Sequence, residues 1–84
     1  MKYYLYIIYS AKLNSYYIGL TIDLENRLFK HRHSGVKFFR NIRDWKLVYT
    51  EDFIHRRTAK RKCIQFKKMN ENNNIPLFLQ TKMI

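Results

Sequence analysis

The residue pattern predicts an α+β fold: a small three-stranded antiparallel sheet flanked by helices, in the order β-β-α-β-α with a short C-terminal helix. Three observations carry this expectation. Residues 3–9 (YYLYIIY) and 16–20 (YYIGL) are aromatic and β-branched runs separated by a polar break, which is how a hairpin reads. A third such run, 45–50 (WKLVYT), stands between two stretches whose apolar residues recur at helical spacing. At 84 residues, the chain is long enough for one domain, 1–84, around one small core supplied by six Phe, seven Tyr and one Trp.

The elements follow in order. The break between the first two strands, residues 11–15 (AKLNS), is rich in turn-formers, and Gly19 permits a close backbone approach where the second strand exits. The first helix starts near Asp23, whose carboxylate suits a helix N-terminus. Leu24, Leu28 and His31 then share a face at i, i+4 and i+7, with Arg27 on the same broad stripe. Ser34-Gly35 ends that helix with a capping glycine. Residues 36–44 form a basic loop containing Lys37, Arg40 and Arg43 with Phe38 and Phe39. The second helix is expected over Thr58–Met69, with Ala59, Cys63 and Phe66 facing inward. Residues 70–74 are a polar break, and Pro76 pre-sets a turn or a final short helix, Leu77–Ile84.

The charge points to a polyanionic partner. Seventeen Lys and Arg against six Asp and Glu leave a formal charge of +11. No run of about 18 apolar residues could span a bilayer. The opening residues lack the basic and apolar regions of a signal peptide, and a lone Cys63 offers neither an internal disulfide nor zinc-ligand spacing. These features predict a cytoplasmic protein whose partner is nucleic acid, in preference to an anionic membrane.

Ten residues separate Tyr6 from Tyr17, Tyr17-Ile18-Gly19 closes the hairpin, and Arg27 and His31 lie one helical turn apart on the following segment. A tight hairpin followed by a helix can bring these two phenols, the guanidinium and the imidazole together. Singly, each residue has an ordinary reading: strand aromatics, a solvated helix cation, a histidine at a packing edge. Jointly, their spacing resembles the GIY-YIG nuclease superfamily, and its small stand-alone members in particular, over about residues 3 to 70. Tyr4-Leu5 stands where that family's name has Gly-Ile, and Leu20-Thr21 lacks the lysine that some relatives carry there.

The resemblance implies a site and a chemistry. Tyr17 or Tyr6 would help deprotonate an attacking water, Arg27 would grip the scissile phosphate, His31 would assist proton transfer, and Gly19 would be structural. The cofactor implied for an active enzyme is Mg²⁺ or Mn²⁺, and the reaction is hydrolysis of DNA phosphodiester bonds. The run Ala59–Lys68 resembles the helix carrying the family's metal-binding glutamate, and that glutamate falls on Cys63. A neutral thiol is a poor ligand for a hard dication. Glu51 is the best-placed substitute acid by sequence, although related chains hold an acid there beside the glutamate. Two readings therefore stay open: an endonuclease-type domain attenuated at Cys63, and a degenerate domain that binds nucleic acid without cutting. A third, resting on charge alone, is a basic adaptor docking on ribosomes or protein surfaces.

Most of the basic residues fall into two acid-free runs, one over residues 26–43 and one over 54–70. Arg27, Lys37, Arg40, Arg43, Lys60 and Lys67 are the expected nucleic-acid contacts, with little sequence preference and strong salt sensitivity. Phe38, Phe39 and Trp45 could stack on exposed bases, with core packing the preferred reading for Trp45.

Overall fold

The computed structural model describes residues 1–33 and 44–82, the side chains of residues 31–33 and 82 excepted. Its elements are β1 (Tyr3–Ser10), β2 (Ser15–Thr21), α1 (Leu24–His33), β3 (Lys46–Phe53), α2 (Arg56–Glu71) and α3 (Ile75–Lys82). The three strands form one antiparallel sheet in the order β2-β1-β3. The expected α+β architecture is the observed one. The most apolar strand, β1, takes the centre, where neighbours on both sides satisfy its backbone; β2 is an edge.

Alternation along β1 sorts its side chains onto two faces. Leu5 and Ile7 join Ile18, Cys63, Phe66 and Ile75 in a core beneath α2 and α3. Tyr6 and Ile8 pack with Trp45 on the other face, where Leu24 and Leu28 of α1 cover them. Trp45 is thus core, and Ala59, Cys63 and Phe66 form the buried face of α2, both as expected. Phe66 anchors an aromatic cluster, with Phe78 at 4.8 Å and Tyr49 at 5.7 Å between ring centroids. Fully buried, the Phe66 side chain contributes about 1.5–3 kcal/mol.

The hairpin is fixed by its turn and by a clamp. Asn14 adopts the left-handed conformation (φ 50°), and its side-chain oxygen accepts from Tyr9 Oη at 2.8 Å. Buried Ser10 donates to Asp44 Oδ1 at 2.7 Å, while the Lys12 amide donates to Asp44 Oδ2 at 2.8 Å. The turn is thereby tied to the chain entering β3.

Element ends differ from expectation for local reasons. β3 runs on to Phe53 rather than stopping at Thr50, since its two acids are accommodated. Glu51 accepts from Tyr49 Oη at 2.8 Å, and Asp52 pairs with Lys2 at 3.0 Å. α2 extends to Glu71 and closes with a left-handed Asn73 (φ 59°). The Asn74 amide bonds Met69 O, and the Asn73 amide bonds Asn70 O, the double closure of a Schellman end. The asparagine run is therefore a helix stop. α3 begins at Ile75 rather than Leu77, because Pro76 is tolerated in a first turn whose amides need no intrahelical partner.

Candidate functional site

Tyr6 lies mid-way along β1, directly opposite Gly19 of β2. Its ring crosses the β2 backbone at that glycine; a Cβ there would overlap Tyr6 Cζ and Oη. The glycine is needed for space alone, and it makes way for a side chain, whereas the sequence suggested a backbone approach. Tyr17 sits two residues earlier on β2, its ring centroid 6.3 Å from that of Tyr6 at an interplanar angle of 36°. The two phenols thus meet at the open edge of the sheet.

Arg27 arrives from α1. Asp23 fixes that helix's start: its Oδ1 accepts from the Asn26 amide at 3.2 Å, and its carbonyl accepts from the Arg27 amide at 3.1 Å. From the opposite face comes α2, on which Lys60, Cys63, Ile64 and Lys67 share one side at i, i+3, i+4 and i+7. The β2 edge separates these helices, and a cleft of about 300 Å³ spans it. The cleft is lined by Tyr6, Tyr17, Gly19, Arg27, Lys60, Cys63 and Lys67, with Ile18, Leu20 and Ile64 as apolar wall.

The structure therefore gathers most of the sequence-predicted site residues at one place. His31 occupies α1 one turn beyond Arg27, with its side chain outside the described residues; Lys37, Arg40 and Arg43 also lie outside them. Ile64 was missed by the sequence reading. Its adjacency to Cys63 on a helix was the available signal, but half-exposed aliphatic residues on basic helices are too common to stand out. A second cleft of about 400 Å³, lined by Asn14, Ser15, Tyr16, Asn70, Asn73 and Pro76, carries no charged side chain.

Electrostatics set the protonation states. Burial, reinforced by Tyr17, pushes the Tyr6 hydroxyl well above the usual phenol range, with Arg27 pulling the other way. Tyr6 is therefore a neutral phenol at pH 7. Burial also raises the Cys63 thiol, only partly offset by Lys67, so the thiol is neutral as well.

No carboxylate lines the cleft among the described residues, and the undescribed ones contain no Asp or Glu at all. All six acids are elsewhere. Asp23 caps α1, Glu25 stands in its first turn, and Asp44 clamps the hairpin. Glu51 is bonded by Tyr49, Asp52 pairs with Lys2, and Glu71 ends α2. Nor do any three His, Cys, Asp or Glu of the described residues group as a metal site. Mg²⁺ and Mn²⁺ favour hard oxygen donors, whereas this cleft offers a neutral thiol, two phenols and three cations. The donor set does not fit the dication that the family resemblance implies.

Comparison with known proteins bears on the whole arrangement. The GIY-YIG catalytic domain family matches residues 2–75. A UPF0213 protein of Clostridium perfringens (strain 13 / Type A) is 36% identical over 75 residues, covering 88% of this chain and 80% of that protein. A UPF0213 protein of Staphylococcus saprophyticus is 31% identical over 77 residues, covering 90% and 93%. The solution NMR structure of a UPF0213 protein from Bacillus halodurans superposes with a TM-score of 0.58 at 29% identity, over 93% of this chain and 83% of that one. No helix among the described residues is long and apolar enough to cross a membrane. With the family match running from the first strand to the start of α3, the chain belongs to the GIY-YIG catalytic-domain family, a nuclease-type fold.

Proposed function

We propose that this protein binds DNA through the cleft at the β2 edge, and that metal-dependent hydrolysis of its phosphodiester bonds is attenuated or lost at Cys63. The observation that carries this reading is the cleft's composition: Arg27, Lys60 and Lys67 with no acid among them. Cations brought together from two helices attract a phosphate backbone, and the planar fork of Arg27 can hold two phosphate oxygens at once. The exposed Arg56, Arg57, Arg61 and Lys68 of α2 extend the positive surface beyond the cleft. The same composition repels a dication, and a metal-bound water is the usual nucleophile of such hydrolysis.

Cutting with Mg²⁺ or Mn²⁺ stands as the second reading, favoured by the meeting of Tyr6, Tyr17 and Arg27 in one cleft. Burial keeps Tyr6 protonated, so Tyr17 would be the phenol assisting water, with Tyr6 donating to an oxygen. Fluorescence anisotropy with short DNA and RNA of matched sequence tests the primary reading. Binding should weaken steeply with salt and fall about tenfold or more in Arg27→Ala. Affinity indifferent to salt would instead favour a protein-docking adaptor.

A further inference from the structure

The cleft carries more positive charge than an internal backbone phosphate requires. Arg27, Lys60 and Lys67 contribute three positive charges, while Cys63 and Tyr6 are neutral and no acid is present to offset them. A diester bears a single negative charge, whereas a phosphate monoester carries about −1.5 to −2 at neutral pH. The cleft's volume, about 300 Å³, is at the lower end of small-ligand sites and exceeds what a phosphate alone would fill. Beside the phenols, its accessible apolar wall is Leu20 and Ile64, the latter 53% exposed. A terminal sugar and base offer such a wall an apolar surface beside their charged phosphate. The opening lies at an edge strand, so a chain end can enter without threading strand on both sides.

We infer that this cleft is a metal-independent receptor for the phosphorylated end of a nucleic-acid strand, with Arg27, Lys60 and Lys67 holding the terminal monoester. This rests on the reading of the cleft as the DNA-binding site, and deepens it by naming the ligand group. Where related chemistry would place a carboxylate and a dication, sulfur leaves the cations free to bind the dianion directly. Specificity then comes from charge: the additional negative charge of a monoester, a few ångströms from three cations, is worth on the order of tenfold in affinity.

The test is anisotropy in excess EDTA, using one short single-stranded DNA with its label at the far end. The strand carries a 5′-phosphate, a 3′-phosphate or hydroxyl ends only. The expected result is about tenfold tighter binding of a phosphorylated end, at either terminus, with that preference abolished by Arg27→Gln or Lys67→Gln. Lys12→Gln, in the exposed hairpin turn outside the cleft, should keep the preference. Equal affinity for all three strands, with binding still salt-sensitive and weakened by Arg27→Gln, would overturn the end-binding inference while leaving the DNA-binding reading intact. A free nucleoside monophosphate binding as tightly as the phosphorylated strand would overturn the assignment to a strand end. Absence of binding to any strand would remove both.

Discussion

Beneath α2 and α3 the sheet is sealed by Leu5, Ile7, Ile18, Phe66 and Ile75, all at most 3% exposed. Beneath α1 it buries Tyr6, Ile8 and Trp45, and towards β2 it opens onto phenols and Arg27. The first face is held by volume, so a residue of similar size and polarity would serve at most positions. The second is held by geometry: Tyr6 reaches the edge only because residue 19 has no side chain. Cys63 belongs to both, closing the core on one side and lining the cleft on the other. A small apolar residue satisfies the core there but leaves the cleft without a carboxylate.

Several substitutions break or sharpen this contrast. Phe66→Ala should cost about 3–5 kcal/mol, a large share of a small domain's total stability. Urea denaturation measures it, and a cost under about 1 kcal/mol would mean that the aromatic cluster is not the anchor. Gly19→Ala should cost about 1–3 kcal/mol by forcing the Tyr6 ring aside. The cost should shrink on a Tyr6→Leu background; simple additivity in that double-mutant cycle would show that ring and glycine are uncoupled. Arg27→Ala lies on the exposed part of α1 and should change stability by no more than about 0.5 kcal/mol. Its effect should appear in DNA affinity instead, so a variant that unfolds would contradict a purely binding role.

The smallest effect concerns the hairpin clamp. Bonds from Ser10 and the Lys12 amide hold the Asp44 carboxyl below its ordinary value of 3.8. A depressed folded-state value contributes stability above the unfolded one, and that contribution disappears as pH falls through the folded value. Asp44→Asn should therefore lower the Tm at pH 7, with the gap from the natural protein narrowing below about pH 3.8. A gap that persists unchanged into acid would assign the clamp's value to shape rather than charge.

Much of this organisation was legible in the residues. Aromatic and β-branched runs marked three strands, and i, i+4, i+7 spacing picked Ala59, Cys63 and Phe66 as the inner face of α2. The spacing of Tyr6, Tyr17 and Arg27 anticipated their meeting, because a hairpin and the helix after it have few ways to pack. Strand order was not legible: nothing local tells β3 to pair with β1 rather than β2. The purpose of Gly19 was hidden for the same reason, since the ring it accommodates comes from the neighbouring strand. The asparagine run looked like a break, and only the left-handed Asn73 reveals it as a cap. Ile64 entered the cleft unseen because its wall forms from two elements far apart in the chain.

The central proposal is that sulfur at position 63 attenuates or removes the cleft's capacity for metal-dependent cutting while leaving its grip on phosphate. The most direct measurement incubates purified natural protein and Cys63→Glu, each first shown to be folded by circular dichroism, with branched and linear DNA in Mg²⁺ or Mn²⁺. The natural chain should bind and leave the DNA intact, and the glutamate variant should gain cleavage that Arg27→Ala then abolishes. Metal-dependent cleavage by the natural protein that disappears in Arg27→Ala would contradict the account.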